Sequence, residues 1–317
     1  MSDVLSPLIL QRADPQLTRH SDGQYYFTAS VPEYDRIELR RAARWQDLAL
    51  APPQVIWRKP DTGPWSELIW APELHCIAGA WYVYFAAAHT RALDGNGMFQ
   101  HRMYALRNRS ADPLAGEWEF MGRVDSGMDS FCLDATAFEH RGRLYYLWAQ
   151  KDPAIAGNSN LYIAPLRDPL TLAGPPVRLS RPEFEWECRG FLVNEGPSVL
   201  QHGGRLFISY SASATDSNYA MGLLWADAGA DPLDPASWHK SPTPVLCTSP
   251  SQPVYGPGHN SFALDEDGQG VLLVYHARTY TEIVGDPLWN PDRHTFVKRL
   301  HWDERGMPLF GDAGLAN

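Results

Sequence analysis

One short pattern recurs five times and limits the fold more than any other feature: a polar approach, a glycine, then five to eight residues dense in aromatic and β-branched types. The copies are His20-Ser-Asp-Gly23 before QYYFTAS, Ile77-Ala-Gly79 before AWYVYFAAA, His140-Arg-Gly142 before RLYYLWAQ, Gln201-His-Gly-Gly204 before RLFISYSAS, and Asp265-Glu-Asp-Gly268 before QGVLLVYHA. Each reads as a hairpin turn running into a strand. From glycine to glycine the intervals are 56, 63, 62 and 64 residues, and five such periods nearly exhaust the 317 residues. Regular spacing of this length with no remainder is what a closed array of similar units requires, so the chain is expected to form an all-β, five-bladed β-propeller. Weaker strand-like runs between the copies, Ile37 to Arg40, Met103 to Leu106 and Tyr162 to Pro165, supply the outer strands of four-stranded blades around a central channel. Helical periodicity is scarce, with 26 Pro and 25 Gly interrupting it, although Ala43 to Leu50 has room for a turn or two. No flexible linker or shift in composition divides the chain, so 1–317 is read as one propeller domain.

In a propeller the first strand of every blade lines the channel, so residues at equal distances before the turn glycines face one axis. Asp14 lies nine residues before Gly23, Asp134 eight before Gly142, Glu195 nine before Gly204 and His259 nine before Gly268. In the second copy Trp70-Ala-Pro-Glu73 occupies this stretch. Taken singly these residues have plain explanations: a turn at Asp14-Pro15, a strand-end cap at Asp134, a loop at Glu195-Gly196-Pro197, a core histidine at 259. Matched phase makes the joint reading stronger, because carboxylates crowded on one axis cost several kcal/mol unless their shifted pKa values serve a reaction. Three carboxylates between aromatic walls suit glycoside hydrolysis, in which one group protonates the leaving oxygen and another activates water, with no organic cofactor.

Other classes of function are argued against. With 37 Asp and Glu against 27 Lys and Arg, the formal charge of −10 repels phosphate backbones and anionic lipid, and no basic run reverses the field, so neither nucleic acid nor membrane is an expected partner. The longest apolar stretch, Ile77 to Ala88, is too short to cross a bilayer as a helix. Cys76, Cys132, Cys188 and Cys247 are widely spaced, which reads as buried free thiols. Asn108-Arg-Ser110 matches a glycosylation acceptor. The start, MSDVLSPLIL, has no basic region ahead of its few apolar residues, so a cytoplasmic location is expected.

At these residues the sequence resembles glycoside hydrolase family 43, most of all its exo-1,5-α-L-arabinofuranosidases. The blocks that carry the resemblance are RADPQLTRHSDGQYYFTASVPEYDRIELRRA, WAPELHCIAGAWYVYFAAA, LDATAFEHRGRLYYLWAQ, NEGPSVLQHGGRLFISYSAS, GPGHNSF and YHARTYTEIVGDPLWNPDRHTFVKRLHW, in order from end to end. The resemblance implies a five-bladed propeller and inversion by single displacement. Asp14 in ADP would be the general base, Asp134 in LDAT the group that tunes and orients the acid, and Glu195 in NEGP the general acid. Inversion also asks that the Asp14 and Glu195 carboxyls stand roughly 6.5–9.5 Å apart to admit a water. In relatives a histidine at the His259 position is associated with calcium or another ion, against which stands the reading of a hydrogen-bonded structural histidine. Arg278 in YHAR is a candidate donor to sugar hydroxyls, with an ion pair to a channel acid as the alternative, and Trp70 a candidate stacking surface. Tyr34, Asp35 and Phe131 are candidates for the pocket border. The expected substrates are small arabinose-containing oligosaccharides. A β-xylosidase or endo-arabinanase of the same family, a sugar-binding propeller without turnover, and a fructan hydrolase are the competing readings, the last weakened by the lack of a W-M-N-D-P-N-type block.

Overall fold

Residues 4–316 are described by the computed structural model, so Met1, Ser2 and Asp3 of the N-terminal stretch considered above lie outside the described residues. The five expected units are five antiparallel sheets. Blade 1 comprises β1 (Ala13–Arg19), β2 (Tyr25–Ser30), β3 (Arg36–Ala42) and β4 (Gln54–Arg58). Blade 2 comprises β5 (Glu67–Ile77), β6 (Ala80–Ala88), β7 (Arg102–Asn108) and β8 (Glu119–Arg123). Blade 3 has β9 (Cys132–His140), β10 (Arg143–Gln150) and β11 (Asn160–Asp168), with the short β12 (Thr171–Leu172) and β13 (Val177–Ser180) both pairing with β11. Blade 4 has β14 (Asn194–His202), β15 (Arg205–Ala212), β16 (Ala220–Asp227) and β17 (His239–Lys240). Blade 5 has β18 (Tyr255–Leu264), β19 (Val271–Arg278), β20 (His294–Trp302) and β21 (Pro308–Leu309).

All five repeat glycines sit between the first and second strands of a blade with φ between 69° and 81°, where a β-carbon would be strained. That shared turn chemistry is why the repeat was visible in the sequence. The first strands β1, β5, β9, β14 and β18 each touch the next and β18 touches β1, which closes the ring. Ile9 and Val4 add bridges to Thr295 and Leu315 of the blade 5 side, tying the start of the described chain to its end. Second strands are buried on both faces: β6 and β19 read as almost unbroken apolar runs, and their side chains fill the spaces between neighbouring sheets, as where Tyr84 meets Tyr146 edge-on.

The weaker runs from Ile37, Met103 and Tyr162 fall in β3, β7 and β11. The short helical expectation near Ala43 is met by a 3₁₀ turn, Trp45–Ala49, and no α-helix occurs among the described residues. No helix there is long and apolar enough to cross a membrane. The cysteines are free as expected, but only Cys132 is buried, while Cys76 and Cys247 are exposed. Asn108 is buried, with its amide donating to Ala115 O, so the acceptor asparagine is not presented at the surface.

Candidate active site

Every first strand breaks its register at the same level, where two residues oppose one on the second strand. The residue that opens each bulge is in the left-handed region: Asp14 at φ 54°, Ala71 at 45°, Asp134 at 55°, Gly196 at 54° and His259 at 42°. An L-residue in that conformation costs about 1–2 kcal/mol, and bulges of this kind re-aim a side chain and recur beside active sites. In this register Asp14, Asp134 and His259 are equivalent, whereas Glu195 stands one residue earlier, level with Trp70. Counting back from the glycines placed Glu195 with the others; the bulge shows that blade 4 gives that place to Gly196. A β-carbon on Gly196 would come 2.9 Å from the His259 ring, so the residue after Glu195 is held to glycine by both φ and space.

The three carboxylates converge. Asp14, Asp134 and Glu195 line one pocket of about 310 Å³ at an end of the channel, together with His259, Tyr219 and Arg293. A larger cavity of about 410 Å³ at the other end contains the Glu73–His75 pair but none of the three. His259 Nδ1 lies between two of the acids, 3.3 Å from Asp14 and 3.7 Å from Asp134.

The environments of the acids differ. Burial pushes the Asp14 carboxyl up, but the Arg293 guanidinium 3.5 Å away, His259, His276 and the Ser30 hydroxyl outweigh it and hold the pKa at about 2. Both histidines are themselves pushed toward the neutral form by burial, so near neutrality Arg293 and Ser30 carry the effect. The Asp14 backbone N–H donates to His276 Nδ1 at 3.0 Å, which places that ring's proton on Nε2. Glu195 is raised to about 7 by burial and by Asp14, opposed by the Tyr219 hydroxyl donating to Oε1 at 2.9 Å and by Arg293. Asp134 is also raised, by burial, then Glu195 and Asp14, while the Gly196 N–H donates to it at 3.0 Å and favours its charged form. Asp134 and Glu195 titrate as a coupled pair that holds a proton more tightly than free carboxylates. Of the three, Asp134 and Asp14 are buried at 6% and 9% exposure, whereas Glu195 is the more open to solvent. Glu195 is set from behind by fully buried Glu187, which accepts from Asn194, the preceding residue, at 3.0 Å and pairs with Lys240 at 2.9 Å.

Trp70 and Phe131 line the pocket. Trp70 stacks on His101 at 3.7 Å between centroids, a ring kept neutral by burial. Tyr34 lies behind the wall, accepting from Arg293 at 3.0 Å and donating to Leu288 O at 2.7 Å. Asp35 faces away and pairs with Arg36 and Arg58. Arg278 does not reach the pocket: buried at 2% exposure, it donates to Asn290 and to the carbonyls of Pro287 and Thr215, fastening the loop before β20. The guanidinium that does enter is Arg293. It and Tyr219 stand immediately before the third strands of blades 5 and 4, as His101 does in blade 2. The phase argument used for first strands, applied to third strands, would have singled them out.

Among the described residues no group of three or more His, Cys, Asp and Glu is arranged to hold a metal ion. Calcium takes six to eight oxygen ligands, and His259 Nδ1 is turned to Asp14 and Asp134. By themselves these residues do not make a calcium site.

Residues 5–308 match the family model described as glycosyl hydrolases family 43. An extracellular exo-α-(1→5)-L-arabinofuranosidase of Streptomyces avermitilis is 50% identical over 306 residues, which is 96% of this chain but 63% of that protein. The chain thus spans just under two thirds of that relative. An enzyme with the same description from Streptomyces chartreusis is 51% identical over 282 residues, covering 89% of this chain and 84% of its own. Among solved structures, an α-L-arabinofuranosidase from Lactobacillus brevis superposes with a TM-score of 0.97 at 55% identity, covering 99% of this chain and 98% of that one. The expectation of a cytoplasmic location is corrected here, since both Streptomyces relatives are described as extracellular; a short N-terminal stretch without a basic region was too weak a signal to carry it.

Proposed function

Since the chain belongs to glycosyl hydrolase family 43, we propose that it is an inverting, exo-acting α-L-arabinofuranosidase that releases arabinose from small arabinose-containing oligosaccharides. The whole of 1–317 acts as one catalytic domain. Asp14 is the general base, Glu195 the general acid, and Asp134 the group that tunes and orients the acid. The observation that carries this reading is the opposition of the two environments: one carboxyl held at about 2 beside Arg293, another lifted to about 7 in the same pocket. Near neutrality the first is ready to take a proton from water and the second still has one to give, which is the division of labour that glycoside hydrolysis needs. Glu195 is also the most solvent-accessible of the three acids, which suits delivery of a proton to a leaving oxygen. The descriptions of the Lactobacillus and Streptomyces enzymes support arabinofuranose as the sugar taken. Trp70 and Phe131 supply the apolar walls and Arg293 the donor to sugar hydroxyls.

The test is the anomer first released from a 1,5-linked arabino-oligosaccharide, followed by NMR before mutarotation. Release of the inverted arabinose supports the proposal; the retained anomer refutes the mechanism. Faster turnover of an aryl xyloside than of the aryl arabinofuranoside refutes the substrate. Oligomers as first products from linear arabinan refute exo action.

A further inference from the structure

The register break that sets the three acids also sets a second layer of side chains further along the channel. In every blade the pairing resumes three residues after it breaks off, at Gln16, Glu73, Thr136, Ser198 and Ser261. These five are equivalent around the ring and all are polar. Each is more than nine-tenths buried, and each lines the cavity of about 410 Å³ at the end of the channel away from the three acids. Two of them stitch blades together. The Gln16 side chain donates to Leu74 O at 3.1 Å and accepts from Leu74 N–H at 3.3 Å, and the Ser261 hydroxyl donates to Pro15 O at 2.9 Å and accepts from Leu17 N–H at 3.1 Å. The other three do not. Glu73 engages His75 Nε2 through Oε2 at 3.0 Å, while its Oε1, the Thr136 hydroxyl and the Ser198 hydroxyl have no hydrogen-bond partner among the described residues. Polar groups so deeply set are normally paired, with protein or with something bound.

The cavity extends to exposed Cys76 and Glu139 near the hairpin turns, so a ligand can enter it from solvent. Its apolar walls include Trp81 and Phe138, held by ring contacts to His20 at 4.5 Å and to Tyr145 at 5.5 Å. A directly bound metal ion suits this layer poorly, because it offers one carboxylate, half of it engaged by His75. A neutral polyol suits it well. Its hydroxyl hydrogens point to Glu73 Oε1, the Thr136 and Ser198 hydroxyls donate or accept, and its C–H face lies on the aromatic wall. The volume is in the range of small-molecule sites. We infer that this cavity is a second, non-catalytic site for a free pentose, held by Glu73, Thr136 and Ser198. The choice of arabinose as that pentose rests on the function proposed above, whose product it is.

Methyl-labelled protein titrated with L-arabinose and followed by NMR separates the two ends of the channel, because Ile77 and Val199 line this cavity whereas Leu133 and Val193 line the catalytic pocket. The Ile77 and Val199 methyls are expected to shift saturably. Glu73→Gln should weaken the dissociation constant read from them about tenfold, the size of a hydrogen bond to a charged group, and Thr136→Val, which keeps the shape, about fivefold. Thr136→Val should also leave kcat/KM on an aryl arabinofuranoside within about twofold of wild type, since the hydroxyl lies outside the catalytic pocket. Ile77 and Val199 methyls that stay still in wild type, or that move alike in wild type and both variants, overturn the site. Movement with calcium but not with arabinose overturns it as well. Wild-type protein that hydrolyses no arabinofuranoside overturns the function proposed above, and the cavity is then judged by the methyl shifts alone.

Discussion

Arg293 is the residue on which the opposed environments turn, and replacing it tests the reasoning directly. Its guanidinium lies 3.5 Å from Asp14; at an effective dielectric of about 20 that separation corresponds to about 4.7 kcal/mol, or roughly 3.5 in pKa at 1.36 kcal/mol each. Water entering the vacated space and the retained Ser30 hydroxyl offset some of this, so Asp14 in Arg293→Met is expected to rise from about 2 to roughly 4–5. The assay is kcat/KM against pH from 3 to 8.5 on an arabinofuranoside whose leaving group needs protonation. Wild type should show no acid limb in that range, because the base is ionised throughout, and should fall above about 7 as Glu195 loses its proton. Arg293→Met should acquire an acid limb with a midpoint of roughly 4–5. Its alkaline limb should move upward, since Arg293 also holds Glu195 down. Arg293→Lys keeps the charge and should leave both limbs near their wild-type positions. A uniform loss of activity in Arg293→Met with unmoved limbs would mean that the residue only binds sugar, and the electrostatic account of Asp14 would be refuted.

Three further outcomes follow from the same geometry. Glu195→Ala should lose about 10²–10⁴ in kcat/KM on natural linkages yet keep most of its rate on a dinitrophenyl arabinofuranoside, which departs without a proton, while Asp14→Ala fails on both; parallel losses would reverse or dissolve the roles. Glu195→Gln should be more stable than wild type at pH 8 and nearly equal at pH 4 by thermal unfolding. A carboxyl raised from 4.5 to about 7 favours the fold only while protonated, and ionising it at pH 8 costs about 3 kcal/mol; a gain independent of pH would contradict this. Gly196→Ala, which forces a β-carbon to 2.9 Å from His259 in a left-handed conformation, should destabilise by about 2–4 kcal/mol in denaturant melts, and a neutral melt would show that the bulge yields easily.

What the sequence settled alone was whatever rests on local chemistry repeated in phase. Five turn glycines with positive φ, each ahead of a run of aromatic and β-branched residues, specify five hairpins, and their spacing specifies closure. Because first strands line the axis, the same spacing brought Asp14, Asp134 and Glu195 into one group. Tertiary structure decided the rest. The one-residue offset of Glu195 depends on a bulge whose place is fixed by pairing with the second strand, which a count along one strand does not see. Arg278 and Arg293 stand in one block of sequence with equal claim to the pocket, and only the path of the loop between them sends Arg278 into backbone carbonyls and Arg293 to Asp14. Carboxyls alike in sequence acquire different proton affinities because burial, a guanidinium and a neighbouring acid act through space, and those distances exist only once the ring has closed.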